Sequence, residues 1–280
     1  NTRLNCTNNP YDLYAIYLAN KFNAGAFQKS VLTACVSSTQ AIALGYDAIH
    51  QGQAEVVISG GTDSLINMLA LISFGKLGVI AESSDDVSCK PFDMNRNGTL
   101  AGESAGFVIL ASESFVRLNK LTPTAQLLGY GNTLDAYKIT APNPNGESME
   151  QSVKDALNNS GITPKEIDYI LAHGTGTRQN DQLELKALES VLGQGIPISS
   201  TKDRHGHAIA AAGIQEFCIL MELMKAGLIP RNLHMETPCE TSLDLVKKDR
   251  QKRINYALTS NFAFGGINTV LAVKNEIDES

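Results

Sequence analysis

The stretch YILAHGTGTRQNDQLELKALESVLGQGIPIS, residues 169–199, decides the fold class. It opens on a short apolar run over residues 169–172, typical of a buried strand, and it closes on a second such run over 196–199. Between them, apolar residues recur at helical spacing over 181–192 and stop at Gly193, a residue type that commonly ends helices. A strand, a helix and a strand in this order predict a parallel pair with a crossover helix.

The same alternation continues on both sides of this stretch. After residue 120 the pattern predicts strands near 125–130, 169–172, 196–199, 256–260 and 269–273, and helices near 148–159, 181–192 and 207–225. Before it, the pattern predicts helices near 10–22 and 37–51, strands near 30–34, 55–59 and 105–110, and an irregular segment over 64–100. We therefore predict an α/β protein with parallel strands covered by helices on both faces, divided into units 1–120 and 121–280.

The composition limits the classes of function. The chain has 280 residues and a net charge of -6, with acidic and basic residues interspersed, which argues against nucleic acid as a partner. No apolar run reaches the roughly 18 residues that a membrane span needs. The five cysteines are scattered without a CxxC pair, so they predict reduced, cytoplasmic thiols rather than a disulfide framework or a zinc site.

A cysteine stands at the start of the second predicted helix, in TACVSSTQA, residues 33–41. A β-prone run precedes Cys35, and an alanine-rich helical pattern follows it. A buried cysteine is commonly no more than a small apolar residue. A thiol at a helix N-terminus, however, loses its proton more easily than one elsewhere. Cys35 is therefore a candidate nucleophile as well as a candidate core residue.

Two histidines lie near predicted strand ends. In LAHGTGT, residues 171–177, His173 follows a buried strand, and ligands bind at the carboxyl ends of parallel strands. In STKDRHGHAIAAAG, residues 200–213, Lys202 precedes His207, which opens a predicted helix whose dipole would keep the imidazole neutral. The alternatives are a histidine that only satisfies a turn and a basic, solvated loop.

Two further stretches carry acidic or glycine patterns. DQLE places Asp181 and Glu184 one helical turn apart, which by itself is an ordinary capping pattern. NFAFGGIN, residues 261–268, puts Gly265 and Gly266 after a β-prone run, so their N–H groups could face an anion or could form only the turn of a hairpin. Together with the thiol, the lysine and the two histidines, these groups are what covalent acyl transfer requires: a nucleophile, hydrogen-bond donors and an oxyanion hole.

The motifs also resemble those of a known family. TACVSS, PFDMNRNG followed by GESAG, HGTGT, STKDRHGH and NFAFGGIN occur in the order and spacing of β-ketoacyl-acyl-carrier-protein synthases of the type I/II group, within the thiolase-like superfamily. The resemblance runs from about residue 9 to residue 274. It implies a thiolase-like, layered αβαβα fold whose C-terminal half is complete and whose N-terminal half lacks its first strands and helices.

The resemblance implies a role for each catalytic residue. Cys35 would accept an acyl group from a carrier protein. His173 and His207 would bind the malonyl thioester and assist its decarboxylation. Lys202 would help to set the protonation of these histidines, with Glu184 as the acidic partner in the network. The carbanion left after loss of carbon dioxide would attack the acyl-cysteine and give a 3-oxoacyl thioester.

Other motif residues would complete the site. Phe264 would act as a gate, and its N–H would form the oxyanion hole with that of Cys35. The remaining residues would support the site: Asp181, Thr175, Thr177, Gly265 and Gly266. The substrates would arrive on the phosphopantetheine of acyl-carrier protein, and this reaction would need no cofactor and no metal.

Two other classes within the superfamily are alternatives. A silent ketosynthase-like subunit of the chain-length-factor type usually lacks the nucleophile, whereas this chain has Cys35. A thiolase would carry a second catalytic cysteine, but Cys218 lies in a predicted apolar helix and Cys239 in a loop. The resemblance thus implies a cytoplasmic acyltransferase that acts with acyl-carrier protein. It would assemble as a homodimer or as a heterodimer with a ketosynthase-like subunit, with neither nucleic acid nor membrane as a partner.

Overall fold

The computed structural model describes residues 12–81 and 89–276. The helices are α1 (Leu13–Phe22), α2 (Ser37–His50), α3 (Met68–Lys76), α4 (Glu113–Leu118), α5 (Glu147–Ser160), α6 (Arg178–Leu192), α7 (Lys202–His205) and α8 (Ala212–Ala226). The strands are β1 (Val56–Ser64), β2 (Glu103–Ala111), β3 (Ala125–Leu134), β4 (Tyr169–Leu171), β5 (Pro197–Ser199), β6 (Leu228–Ile229), β7 (Asp244–Leu245), β8 (Arg250–Gln251), β9 (Tyr256–Phe262) and β10 (Ile267–Asn275).

The main sheet has six strands in the order β3-β10-β9-β4-β5-β7. Strands β9, β4, β5 and β7 run parallel. The alternating pattern predicts this for β9, β4 and β5, whereas no strand is predicted at β7. Strand β10 is antiparallel to both β9 and β3, so the predicted parallel pairing does not extend to this edge, where NFAFGGIN forms the hairpin turn considered for it. The reason is the short connection between β9 and β10, because a crossover to a parallel strand needs a dozen or more residues.

Helices cover both faces of this sheet. Helices α5 and α6 form one apolar core with Ile170, while Tyr169 and Leu171 point to the opposite face and pack with α2 and α8. All three residues of β4 are fully buried. Because successive side chains of a strand point to opposite faces, burial on both sides explains why this strand is continuously apolar in sequence.

Strands β1 and β2 form a separate antiparallel ribbon, in which Ile58 lies opposite Ile109. Helices α2 and α8 lie between this ribbon and the main sheet, so the described residues give the layers helix, sheet, helix, sheet. The outer face of the ribbon is exposed, with Ile109 74% accessible and Phe107 49% accessible. The division of the chain at residue 120 stays a prediction.

Three predicted elements differ from the structure. No strand is present over residues 30–34; a 3-10 turn at Ala34–Val36 leads directly into α2. The segment predicted to be irregular contains α3, whose N-terminus is capped by the Asn67 side chain. Helix α8 begins five residues after the predicted start at 207, because Ile209 adopts a φ of 41° that a helix cannot accommodate.

The structure describes four of the five cysteines, and its helices can be compared with the length of a membrane span. Cys35, Cys89, Cys218 and Cys239 are free thiols, and Cys6 lies outside the described residues. Across 12–81 and 89–276, none of the helices combines the length and the apolar character needed to cross a bilayer. Cys218 packs at the edge of the core formed by α2 and α8, in keeping with its interpretation as a core residue.

Candidate active site

Cys35 lies in the tight turn that precedes α2. Ala34 holds a φ of 49°, a left-handed conformation that is unusual for a residue with a side chain. The Ser37 hydroxyl closes the turn, since it accepts from the Thr33 N–H at 2.9 Å and donates to the Ala34 carbonyl at 2.7 Å. Burial raises the pKa of the Cys35 thiol to about 11, and the charge of Lys202 opposes this rise. The thiol is therefore protonated at neutral pH.

His207 lies within hydrogen-bond distance of this thiol. Its Nε2 lies 3.1 Å from Sγ of Cys35. The backbone of His207 is fixed against a neighbouring segment, with its N–H donating to the Leu100 carbonyl at 2.8 Å. Burial holds the pKa of His207 well below its usual range, and Lys202 lowers it further. The predicted cause, a helix N-terminus at this histidine, is wrong because α8 starts at Ala212.

His173 follows β4, and the carboxylate of Glu184 holds its backbone. The Glu184 oxygens accept from the N–H groups of His173 and Gly174, each at 2.8 Å, and from the Ser260 hydroxyl at 2.8 Å. The imidazole stands at 85° to that of His207, with ring centroids 5.2 Å apart. Burial, followed by the charge of Lys202, keeps the pKa of His173 well below its usual range, so both histidines are neutral at pH 7.

Asp181 holds the next part of the same loop. Its carboxylate accepts from the Gly176 N–H at 3.2 Å and from the Phe92 N–H at 2.9 Å. Arg96, within the PFDMNRNG motif, lies 3.7 Å from Asp181 and donates to the Thr177 carbonyl at 3.2 Å. The first turns of α6 and this arginine thus fix the HGTGT loop.

A buried ion pair lies behind His173. Nζ of Lys202 pairs with Glu216 of α8, and both side chains are inaccessible to solvent. Nζ also lies 3.3 Å from Nδ1 of His173. Asn261 of β9 donates to Glu216 at 2.6 Å and to the same Nδ1 at 3.3 Å. The acidic partner of Lys202 is therefore Glu216, whereas Glu184 binds the backbone of the histidine loop.

Phe264 brings a backbone N–H to the cysteine. The N–H groups of Phe264 and of Cys35 itself both act on Sγ and lower the pKa of the thiol, against the larger effect of burial. The turn depends on two glycines with positive φ, Gly265 at 85° and Gly266 at 74°. Their own N–H groups donate to the carbonyls of Ile139 and Ala263, so they form the turn and do not face an anion. The donor of this motif is Phe264.

These groups open onto one pocket of about 520 Å³. Cys35, His173, His207 and Phe264 line it, together with apolar side chains that include Phe74. The rings of Phe264 and Phe74 stack with centroids 6.5 Å apart. The pocket is also lined by Thr175 and Thr177, whose hydroxyls are 2.9 Å apart. The structure thus brings six of the predicted residues to one cavity: Cys35, His173, Thr175, Thr177, His207 and Phe264. The other five do not line it: Asp181, Glu184, Lys202, Gly265 and Gly266.

The same cluster has the donors that a metal would require. Cys35, His173 and His207 each offer a ligand atom, and these atoms lie within 4.8 Å of one another. Thiolate and imidazole suit zinc. The ammonium of Lys202, 3.3 Å from Nδ1 of His173, opposes a cation at this position. The expectation that no metal and no cofactor takes part stays a prediction.

The buried polar residues that sequence reasoning missed include Glu216 and Asn261. Glu216 is a lone acid in the apolar run GIQEFCILM, one turn from Ala212 and one turn from Leu220, both of which are buried. An acid on the apolar face of a helix requires a partner, and that signal was available. Asn261 follows the buried residues of β9 and gives the same kind of signal.

Comparison with known proteins agrees with this geometry. The family described as "Beta-ketoacyl synthase, N-terminal domain" matches residues 3–115, and "Beta-ketoacyl synthase, C-terminal domain" matches residues 124–236. The chain belongs to the β-ketoacyl synthase family. The 3-oxoacyl-[acyl-carrier-protein] synthase 2 of Staphylococcus aureus is 34% identical over 251 residues, which are 88% of this chain and 62% of that protein. The chain therefore spans about three fifths of the length of this relative.

Solved ketosynthases share the fold. A chain from the complex of a type II polyketide synthase acyl-carrier protein with its ketosynthase, bound to the hexaketide, superposes with a TM-score of 0.90 at 29% identity. The match covers 95% of this chain and 67% of that chain. A ketosynthase in complex with its chain length factor, from Xenorhabdus doucetiae, gives a TM-score of 0.82 at 29% identity, covering 95% and 64%. The predicted thiolase-like fold is confirmed.

Proposed function

We propose that this chain carries the active site of a decarboxylating acyltransferase. It would join an acyl group held on Cys35 to the malonyl group of acyl-carrier protein and form 3-oxoacyl-acyl-carrier protein. One observation carries the proposal: Sγ of Cys35 lies 3.1 Å from Nε2 of His207, in a pocket that a second neutral histidine, His173, also lines. The names of the relatives support the same reaction class.

The first half-reaction transfers the acyl group to the enzyme. Sγ of Cys35 attacks the thioester carbonyl carbon, and the bond from that carbon to the carrier sulfur breaks. Because the thiol is protonated at neutral pH, its proton passes to Nε2 of His207, and the departing carrier thiolate takes that proton up. The negative oxygen that develops accepts hydrogen bonds from the N–H groups of Cys35 and Phe264.

The second half-reaction forms the carbon–carbon bond. The malonyl thioester carbonyl accepts hydrogen bonds from His173 and His207, both neutral and both facing the pocket. The carboxylate leaves as carbon dioxide, and its bonding electrons pass into the enolate, which these hydrogen bonds stabilise. The resulting carbanion attacks the acyl carbonyl. The bond from that carbonyl to the sulfur of Cys35 breaks, and the resulting thiolate takes up one proton from solvent, with Nε2 of His207 beside it to relay the proton.

The carrier and the assembly belong to the proposal as well. Acyl-carrier protein would deliver both substrates as phosphopantetheine thioesters, and the enzyme would act as a homodimer or with a ketosynthase-like subunit. Among the structural relatives, one ketosynthase was solved with an acyl-carrier protein and another with its chain length factor. The exposed outer face of the β1–β2 ribbon leaves room for a subunit contact.

Intact-protein mass spectrometry tests the first half-reaction. After incubation with acyl-carrier protein loaded with a short acyl chain, we expect a mass gain that maps to Cys35 and disappears when malonyl-carrier protein is added. Cys35→Ala should abolish the gain. The matched control Cys218→Ala, which removes a free, half-buried thiol on α8, should retain it. Acylation of another cysteine in Cys35→Ala would contradict the proposed nucleophile.

The alternative function is a silent ketosynthase-like subunit that shapes the pocket of a partner. One structural relative comes from a ketosynthase–chain length factor complex, which keeps this candidate open. The convergence of Cys35, His173 and His207 on one pocket favours the enzyme. If folded protein gives no acyl adduct on any cysteine, the silent role is favoured, and the next step is to isolate the active subunit bound to it.

A further inference from the structure

Asn261 joins three polar groups behind the active site. It lies on β9 with a solvent exposure of 0%. Its Oδ1 accepts from the Thr39 hydroxyl at 2.5 Å, and its Nδ2 donates to Glu216 at 2.6 Å. The other oxygen of Glu216 faces the ammonium of Lys202, so this carboxylate is surrounded by donors. These partners fix the orientation of the amide, with oxygen towards Thr39 and nitrogen towards Glu216.

The fixed amide then determines which nitrogen of His173 carries the proton. The second hydrogen of Nδ2 points at Nδ1 of His173, 3.3 Å away. Nζ of Lys202, also a donor, lies 3.3 Å from the same Nδ1. A neutral imidazole has one acceptor nitrogen and one donor nitrogen. Because two donors face Nδ1, that nitrogen is the acceptor and Nε2 bears the hydrogen.

We propose that Asn261 is a positioning residue that, with Thr39, holds His173 in the tautomer whose Nε2–H faces the pocket. Space for the Thr39 side chain comes from Gly213 on α8, where an added Cβ would lie 1.9 Å from Oγ1 of Thr39. The inference about catalysis rests on the proposed function, because only a thioester carbonyl in the pocket would use the Nε2–H. The inference about the tautomer does not depend on it.

NMR of protein labelled with ¹⁵N-histidine tests the tautomer directly. The chain has five histidines, and the ring signals of His173 are identified as those lost in His173→Asn. In the wild-type chain near pH 7, we expect the ring of His173 to show only the Nε2–H tautomer, with no exchange between the two tautomers. In Asn261→Ala the ring loses one of its two donors, so a second population or exchange broadening should appear. An Nδ1–H pattern in the wild type would overturn the proposal.

A pair of threonine variants supplies a matched control. Thr39 and Thr269 are both fully buried, and each donates its hydroxyl to the side-chain oxygen of an asparagine, Asn261 and Asn132 respectively. Thr39→Val should disturb the His173 ring signals, whereas Thr269→Val should leave them unchanged. If both variants changed the His173 ring signals equally, the change would reflect a general loss of packing, and the proposal would fail.

Kinetics separates positioning from stability. Asn261→Ala should lower kcat for release of carbon dioxide by about tenfold or more, the loss expected when a hydrogen bond to the reacting group is misplaced. KM for malonyl-carrier protein and acylation of Cys35 should change by less than about twofold, because Asn261 contacts neither the thiol nor the pocket.

Wild-type ring signals and wild-type kcat in this variant would overturn the proposal. An inactive wild-type chain with the expected Nε2–H pattern would support the tautomer and reject the condensing function.

Discussion

His173 and His207 share a side chain but have different surroundings. Nδ1 of His173 faces two donors, Lys202 and Asn261. Nδ1 of His207 is buried and makes no hydrogen bond to any described residue, while its Nε2 faces the thiol of Cys35. His207 is thus free to hold its proton on either nitrogen, which suits a group that accepts a proton from the thiol and returns it. The surroundings of His173 suit a group that keeps its proton on Nε2 and only donates a hydrogen bond.

This difference predicts separate effects of the two histidine variants. His173→Asn should still form acyl-Cys35, because the thiol contacts His207 and not His173. Its release of carbon dioxide should slow by a barrier increase of roughly 2.7–4 kcal/mol, the typical loss of one preorganised donor. His207→Asn should slow both half-reactions, since asparagine cannot accept the proton. Mass spectrometry and carbon dioxide release measure the two steps, and equal acylation defects in both variants would contradict this division of roles.

At the scale of the element, the loop between β4 and α6 depends on the first two turns of the following helix. Asp181 and Glu184 fit an ordinary helix-capping pattern in sequence, but their carboxylates bind N–H groups of the loop instead. Burial raises the pKa of Glu184 to about 7, although the hydrogen bonds from Gly174 and Ser260 oppose this rise. The loop that presents His173 therefore rests on a carboxylate that titrates near neutral pH.

Glu184→Gln tests this support through the pH dependence of stability. A carboxyl whose pKa rises on folding stabilises the folded state at low pH, and this contribution is lost as pH rises towards 7. Between pH 5 and pH 8 the wild-type free energy of unfolding should therefore fall by about 2–3 kcal/mol more than that of the variant. Urea unfolding measures the difference. The control Glu189→Gln, on the same helix but only partly buried, should follow the wild type.

At pH 8 the variant should also be less stable than the wild type by about 1–3 kcal/mol, because a glutamine NH₂ would face a backbone N–H. The gap between the two should widen as pH falls to 5. A constant offset without any change in slope would mean that Glu184 titrates far from neutral pH.

Across the whole described molecule, the six-stranded sheet is covered on both faces, whereas the β1–β2 ribbon is covered on one. Helices cover both faces of the six-stranded sheet. The β1–β2 ribbon packs its inner face on α2 and α8, and its outer face exposes the cross-strand pair Ile58 and Ile109 beside Phe107. Contiguous apolar surface of this kind favours association and binds apolar dyes.

Ile109→Lys should therefore reduce both dye fluorescence and concentration-dependent self-association of the chain. Its free energy of unfolding should change by less than about 0.5 kcal/mol, because the side chain is 74% exposed. Leu118→Lys, which changes a residue on α4 that is 83% exposed, is the matched control and should alter neither property. Similar changes in both variants would show that charge alone, and not the ribbon face, controls association.

Much of the fold followed from local pattern. Helices α2, α5 and α6 and strands β2, β4 and β5 lie close to their predicted positions, because period and capping act over neighbouring residues. The strand expected before Cys35 was wrong because a β-prone run there forms a turn closed by Ser37. The antiparallel edge of the main sheet follows from the length of one connection, which the alternation of elements does not reveal.

The sequence by itself determined the α/β class and the candidate residues of the proposed chemistry: Cys35, His173, His207, Lys202 and Phe264. Each lies in a compact motif, and the pattern predicted a strand end beside most of them, so local signals identify them. Only the tertiary structure decided that Glu216 pairs with Lys202, and that Thr39 and Asn261, 222 positions apart, form one hydrogen bond. The physical reason is burial: a polar group removed from water must find a partner, and only packing brings distant partners together.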